Sequence, residues 1–146
     1  MTVSAILREK GNDVVSVEAG TSIADVTALL REKRIGAVIV AGSAPGGAPF
    51  AGILSERDIV RGIAEEGAAT LDKPARHLMT SKVQSCAPGD TIATVMGKMT
   101  DGRFRHMPVV ENGALVGFIS IGDVVRHRIE EVEREAEEIR GYVTAG

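Results

Sequence analysis

A near-repetition constrains this chain more than any other feature. Residues 52–58 read GILSERD and residues 117–123 read GFISIGD. Each follows an apolar run, Gly36-Ala37-Val38-Ile39-Val40 in the first copy and His106-Met107-Pro108-Val109-Val110 in the second. Each run is preceded by a stretch that opens with a small hydroxyl residue and isoleucine, Ser22-Ile23 and Thr91-Ile92. A strand that ends in Ser-x-x-Asp and turns into a helix puts a hydroxyl, a carboxylate and free backbone N–H groups at one helix start. Two copies predict two related pockets.

The patterning around these motifs gives a β-α-β-β-α order, twice. Short strands are expected at Val14–Val17 and Val83–Cys86. Helices follow over 22–33 and 91–101, with apolar residues at helical spacing: Ile23, Val26, Leu29 and Leu30, then Ile92, Val95, Met96 and Met99. A strand hairpin closes each copy, and Asn112-Gly113 is a strong two-residue turn signal. Gly36 matches His106 and Gly52 matches Gly117, so the spacing drifts. The drift has a cause in the longer loop Gly42-Ser43-Ala44-Pro45-Gly46-Gly47-Ala48-Pro49. The segments ahead of the first strands also match, Thr2-Val3-Ser4-Ala5-Ile6-Leu7 against Pro74-Ala75-Arg76-His77-Leu78-Met79. The expected boundaries are 1–66 for the first repeat, 67–73 for a linker, 74–128 for the second repeat and 129–146 for a helical extension.

The last helix is expected from Ser120 to about Tyr142, far beyond its twin at 55–65. Val125, Ile129, Val132, Ala136, Ile139 and Val143 alternate four- and three-residue steps, the seam of a coiled coil. Self-association along this stripe is favoured over packing on the same chain. The charges between Glu130 and Arg140 make a solvated outer face.

Composition excludes several classes. At 146 residues the chain is one domain, or two half-domains sharing a core. Three Phe, one Tyr and no Trp leave no stacking platform for single-stranded nucleic acid, and a net charge of -3 leaves no basic footprint for duplex DNA. No apolar run is long enough to span a membrane, and the first residues lack a signal-peptide core. The single cysteine, Cys86, reads as a buried small hydrophobe and implies a reducing cytoplasm. His77 and His127 have no partnered spacing, so no metal is expected. No phosphate-loop glycine motif and no Ser/His/Asp set is present, so no enzyme is expected.

The doubled β-α-β-β-α unit, with GILSERD and GFISIGD closing the hairpins and RHMPVV in the second copy, resembles the cystathionine-β-synthase (CBS) domain, a tandem pair of which is called a Bateman module. The resemblance covers about residues 3–130. It implies a mixed α/β (α+β) fold of two repeats packed sheet against sheet with pseudo-twofold symmetry, and two clefts between them. It also implies adenosine-containing ligands there (AMP, ADP, ATP, NAD or S-adenosylmethionine), a homodimer, and regulation of an unknown partner protein.

The resemblance assigns roles. Asp58 and Asp123 occupy the ribose position, where an ionised carboxylate accepts from vicinal hydroxyls. Ser55 and Ser120 sit at the strand-to-helix turns, which favour phosphate. Arg57 is placed to bind phosphate, and SIGD replaces it with Ile121 and Gly122. Arg105, His106 and Lys82 are further phosphate or adenine contacts. The adenine slot falls to Val83 with Met107 and Pro108, and to Val14 with Ile35, Gly36 and Ala37. The bland reading of each Ser-x-x-Asp is a helix capping box. The expected function is a nucleotide-sensing regulatory module; the alternative is a structural or adaptor dimer with vestigial clefts.

Overall fold

The structure, a computed structural model, describes residues 1–44 and 46–145; Pro45 of the long loop and Gly146 of the tail lie outside the described residues. The elements in chain order are α1 (Val3–Lys10), β1 (Ser16–Val17), α2 (Ile23–Lys33), β2 (Ala37–Val40), β3 (Gly52–Ser55), α3 (Glu56–Glu66), α4 (Ile92–Gly102), β4 (His106–Glu111), β5 (Ala114–Ser120) and α5 (Ile121–Ala145). The fold is mixed α/β with a long C-terminal helix.

The local rules that start each helix are visible. Ser22 Oγ accepts from Asp25 N at 3.1 Å to open α2, and Thr91 Oγ1 accepts from Thr94 N at 3.1 Å to open α4. Both helices end at an arginine in the left-handed region, Arg34 (φ 55°) and Arg103 (φ 56°). These matched ends correct the alignment of the repeats. Gly36 corresponds to Arg105, not to His106, because the Gly36 carbonyl accepts from Glu56 N at 2.9 Å and the Arg105 carbonyl from Ile121 N at 2.7 Å. Helices α2 and α4 are equally long, so the length difference falls wholly in the hairpin loop.

The strands form two sheets. β1 pairs in parallel with β2, Ser16 opposite Ile39, and β2 pairs antiparallel with β3, from Ala37↔Ser55 to Val40↔Gly52. β4 and β5 form a two-stranded hairpin whose turn residues Asn112 and Gly113 both have positive φ (52° and 76°). That is the tight turn whose twist matches the flanking strands. The strand expected at Val83–Cys86 does not form. Its apolar residues, three apart, cannot share one face of a pleated strand. What remains is one parallel bridge, Cys86↔Val109, with Cys86 N donating to the Pro108 carbonyl at 3.0 Å.

Two compact units result, and they do not follow the repeat boundaries. The first-repeat unit comprises Asp13–Gln84 with Asn112–Leu115; the second-repeat unit comprises Met1–Asn12, Ser85–Glu111 and the chain from Val116 onward. The first has a core of Ile23, Val26, Leu30, Val38, Val40, Leu54, Ile59 and Ala75. The second is built on Val3, Ile6, Leu7, Ile92, Val95, Met99, Met107, Val109, Ile119 and Val124. The expected linker is ordered. Residues 68–72 and 75–77 form 3-10 turns, and Thr70, fully buried, donates through Oγ1 to the Gly67 carbonyl at 2.7 Å.

Each leading segment docks on the helix start of the other repeat. Val3 N donates to the Asp90 carbonyl at 2.9 Å, and Ile92 N to the Met1 carbonyl at 3.1 Å. In the same register, Ala75 N donates to the Thr21 carbonyl at 2.7 Å, and Ile23 N to the Lys73 carbonyl at 2.9 Å. The glycine that opens each motif makes room for this. A Cβ on Gly52 falls 2.5 Å from the Thr80 carbonyl oxygen, and one on Gly117 falls 2.6 Å from a methyl carbon of Leu7. Backbone cannot yield as a leucine tip can. Gly52→Ala is therefore expected to cost about 1–3 kcal/mol, and Gly117→Ala clearly less. Urea midpoints of the two variants check the order; equal losses would contradict this account of the glycines.

Candidate functional site

Both Ser-x-x-Asp motifs fold as capping boxes. At the start of α3, Ser55 N donates to Asp58 Oδ2 at 3.0 Å, Ser55 Oγ donates to the same oxygen at 3.0 Å, and Asp58 N donates to Ser55 Oγ at 3.2 Å. At the start of α5, Ser120 N donates to Asp123 Oδ2 at 2.9 Å and Asp123 N donates to Ser120 Oγ at 3.2 Å. The bland reading is therefore realised twice. In each case Oδ2 serves the helix while Oδ1 turns toward the arginine one turn on, Arg61 at 4.0 Å and Arg126 at 3.7 Å. Capping thus fixes the carboxylate and leaves its outer oxygen for another donor.

In the first-repeat unit the structure gathers several expected residues. Ala37 lies opposite Ser55, and the Gly36 carbonyl receives the first N–H of α3. Ile35 and Gly36 line a cavity of about 590 Å³ with Arg31, Arg34 and Glu56. Arg57 stands exposed in the first turn of α3, Val14 is half-buried ahead of β1, and Ala37 is buried. Lys82 is exposed and Val83 half-buried in an irregular stretch of the same unit.

In the second-repeat unit Arg105 is exposed and its carbonyl receives the first N–H of α5, which sets it beside Ser120. His106 stacks on Phe118, ring centroids 5.7 Å apart and 20° between planes. Met107 is wholly buried in the core, and Pro108 is buried as well. Cys86 is buried, and desolvation pushes its thiol up to about 12, with Asp90 adding to the effect. It is no nucleophile at neutral pH.

One residue of this region escaped the sequence reading. Lys10 Nζ lies 2.7 Å from Asp123 Oδ2 and donates to the Phe118 carbonyl at 2.8 Å. Burial raises the Asp123 carboxyl, but the Lys10 ammonium and the Ser120 N–H together outweigh it and hold the group below the usual carboxylate range. His77 also has a partner, Glu66 at 2.8 Å. A separation of 113 residues hid the first pair.

The CBS domain profile matches residues 3–65 and 75–130. The chain belongs to the CBS domain family. It is 28% identical over 151 residues to the mitochondrial CBS domain-containing protein CBSX3 of Arabidopsis thaliana, covering 99% of this chain and 73% of that one. Several other curated relatives are longer, and this chain spans about a quarter of them. Among solved structures, the CBS-domain containing protein ATU1752 of Agrobacterium tumefaciens is 43% identical with a TM-score of 0.81, over 87% of this chain and 92% of that one. The CBS domain protein PAE2072 of Pyrobaculum aerophilum, complexed with AMP, is 29% identical with a TM-score of 0.70, over 84% and 89%.

The Lys10–Asp123 pair makes a testable pH signature. A depressed carboxyl contributes stability above its unfolded pKa and loses it as pH falls through the lower folded value. Lys10→Met is expected to cost about 1 kcal/mol at neutral pH, the pair being partly exposed. That difference from wild type should shrink as pH falls through the lowered folded value of Asp123, below which the carboxyl is protonated in both proteins. Chemical denaturation across pH measures it; a difference independent of pH would rule the pair out as its source.

Proposed function

We propose that this chain is a regulatory module that binds adenosine-containing nucleotides at its strand-to-helix turns and signals to a partner protein. The observation that carries this reading is the doubled capping box, each with a carboxylate held rigid and one oxygen turned outward. An ionised carboxylate is the group that accepts from the vicinal hydroxyls of a ribose. Exposed cations stand nearby, Arg57 in one repeat and Arg105 in the other. Arg57 sits at the positive end of a helix, where a cation is disfavoured by the dipole and an anion is welcome. A relative of the same fold, PAE2072, is complexed with AMP.

The two sites are proposed to differ. Among the described residues no lysine bonds Asp58 as Lys10 bonds Asp123, although Lys82 holds the matching sequence position, and Arg57 has no counterpart in SIGD. The first site is therefore assigned the tighter binding of an anionic nucleotide: AMP, ADP, ATP or NAD. The module binds its nucleotide rather than turning it over. The signal requires unequal affinity of the ligand for two states of the module.

A homodimer through α5 is part of this proposal. Ile129, Ile139 and Val143 of the heptad stripe are 53%, 66% and 71% exposed on this chain, which leaves the stripe for a second copy. The same stripe favours the second reading, an adaptor dimer that ignores nucleotide.

Calorimetry with AMP, ADP, ATP, NAD and S-adenosylmethionine separates them. Asp58→Asn is expected to weaken binding by about 10–100-fold, the worth of a charged hydrogen bond, and Asp123→Asn by less. Folded protein that binds none of the five would leave the adaptor reading standing. Sedimentation of Ile139→Glu, expected to shift dimer to monomer, tests the seam separately.

A further inference from the structure

The second-repeat unit contains a group that the nucleotide sites do not use. His127 lies in α5, one turn beyond Asp123, and is 2% exposed. Its Nδ1 is 2.9 Å from the Asp123 carbonyl. A carbonyl only accepts, so Nδ1 carries a proton, and whenever the ring is neutral Nε2 keeps its lone pair. Nε2 is fully shielded from solvent and makes no hydrogen bond. Glu9 Oε2 of α1 lies 2.8 Å from it, in contact but not aligned to accept from it. Glu130, three residues on from His127 and so on the same helix face, brings a second carboxylate. The three ligand atoms lie within 4.8 Å of one another.

Two carboxylates crowded on an imidazole nitrogen repel its lone pair unless a proton or a metal ion sits among them. Lys10 and Arg126 are engaged with Asp123, and Arg128 with Glu131. The buried ring is already oriented as a metal ligand is, its far nitrogen tied to a carbonyl. Glu9 and Glu130 are exposed and free to rotate inward. A tetrahedral ion with bonds of about 2.0–2.1 Å needs ligand atoms roughly 3.3 Å apart, a small closure from the separations here.

We propose that Glu9, His127 and Glu130 form a binding site for a divalent transition metal of the zinc type, which clamps α1 to α5. One imidazole with two carboxylates suits zinc, and not magnesium or calcium, which take oxygen ligands alone. Three protein ligands leave a fourth position for water. The site stands independently of the nucleotide reading. It would fasten the leading helix to the helix that carries the exposed heptad stripe.

The test uses the full chain stripped with chelator and titrated with Zn²⁺ by calorimetry, with Mg²⁺ in parallel. One saturable equivalent of Zn²⁺, a melting temperature that rises with added Zn²⁺, and no matching response to Mg²⁺ are expected. Glu9→Gln and Glu130→Gln, both on exposed side chains, should keep the fold by circular dichroism. Each should weaken Zn²⁺ by at least ~10-fold, as loss of groups at a metal site does. Co²⁺ should give visible bands that both variants diminish. Absence of saturable binding overturns the proposal, as does Zn²⁺ binding that neither variant alters. An Nε2 proton on His127 at neutral pH, seen by NMR and undisturbed by Zn²⁺, overturns it too, because a Glu9–imidazolium pair then explains the contact.

Discussion

The structure depends on a backbone exchange at two helix starts. The first N–H groups of α2 and α4 have no partner within their own helices. Here they are met by the carbonyls of Lys73 and Met1, supplied from the leading segment of the other repeat. The return bonds, from Ala75 and Val3, close each contact. Residues 74–79 and 2–7 thereby become wedges, and their apolar side chains reach the hairpins at Gly52 and Gly117. Remove the wedge and the first N–H of each helix loses its carbonyl partner and each hairpin loses its packing neighbour.

That dependence explains why the Ser-x-x-Asp turns serve stability and chemistry together. The carboxylate is divided. Oδ2 is committed to the backbone, and Oδ1 faces outward past an arginine at about 4 Å in both repeats. A group held so firmly pays little entropy to meet a ligand. The repeats then diverge by what surrounds the same device: Arg57 and a cavity edged by Arg31 and Arg34 in one, Lys10 and the His106–Phe118 stack in the other.

Much of this was legible in the sequence, for physical reasons. Helical periodicity gave α2 and α4 nearly to the residue, Asn112-Gly113 gave its hairpin turn, and the doubled motif gave both caps. Short-range rules govern all three. What escaped was set by distance along the chain. Lys10 meets Asp123 and Glu9 meets Glu130 across more than a hundred residues. The expected linker at 67–73 proved ordered because Thr70 is buried under it, and the expected strand at Val83–Cys86 reduced to a single bridge. Matching Gly36 to His106 followed the apolar runs; the left-handed arginines, Arg34 and Arg103, fix the true register at Arg105.

The discontinuity of the second-repeat unit carries a consequence for how the chain is made. Residues 13–84 form a unit that is almost continuous in sequence, so it can gather while the ribosome is still extending the rest. Helix α1 is made before the segments that seat it. Its seat begins only at Ser85, after the main segment of the first-repeat unit has been made. Through that interval Val3, Ile6 and Leu7, all buried at the end, travel uncovered. Arg8, Glu9 and Lys10 follow these residues as a block of charge in the same helix. Of these charges, Glu9 and Lys10 are the ones that meet α5 once it exists.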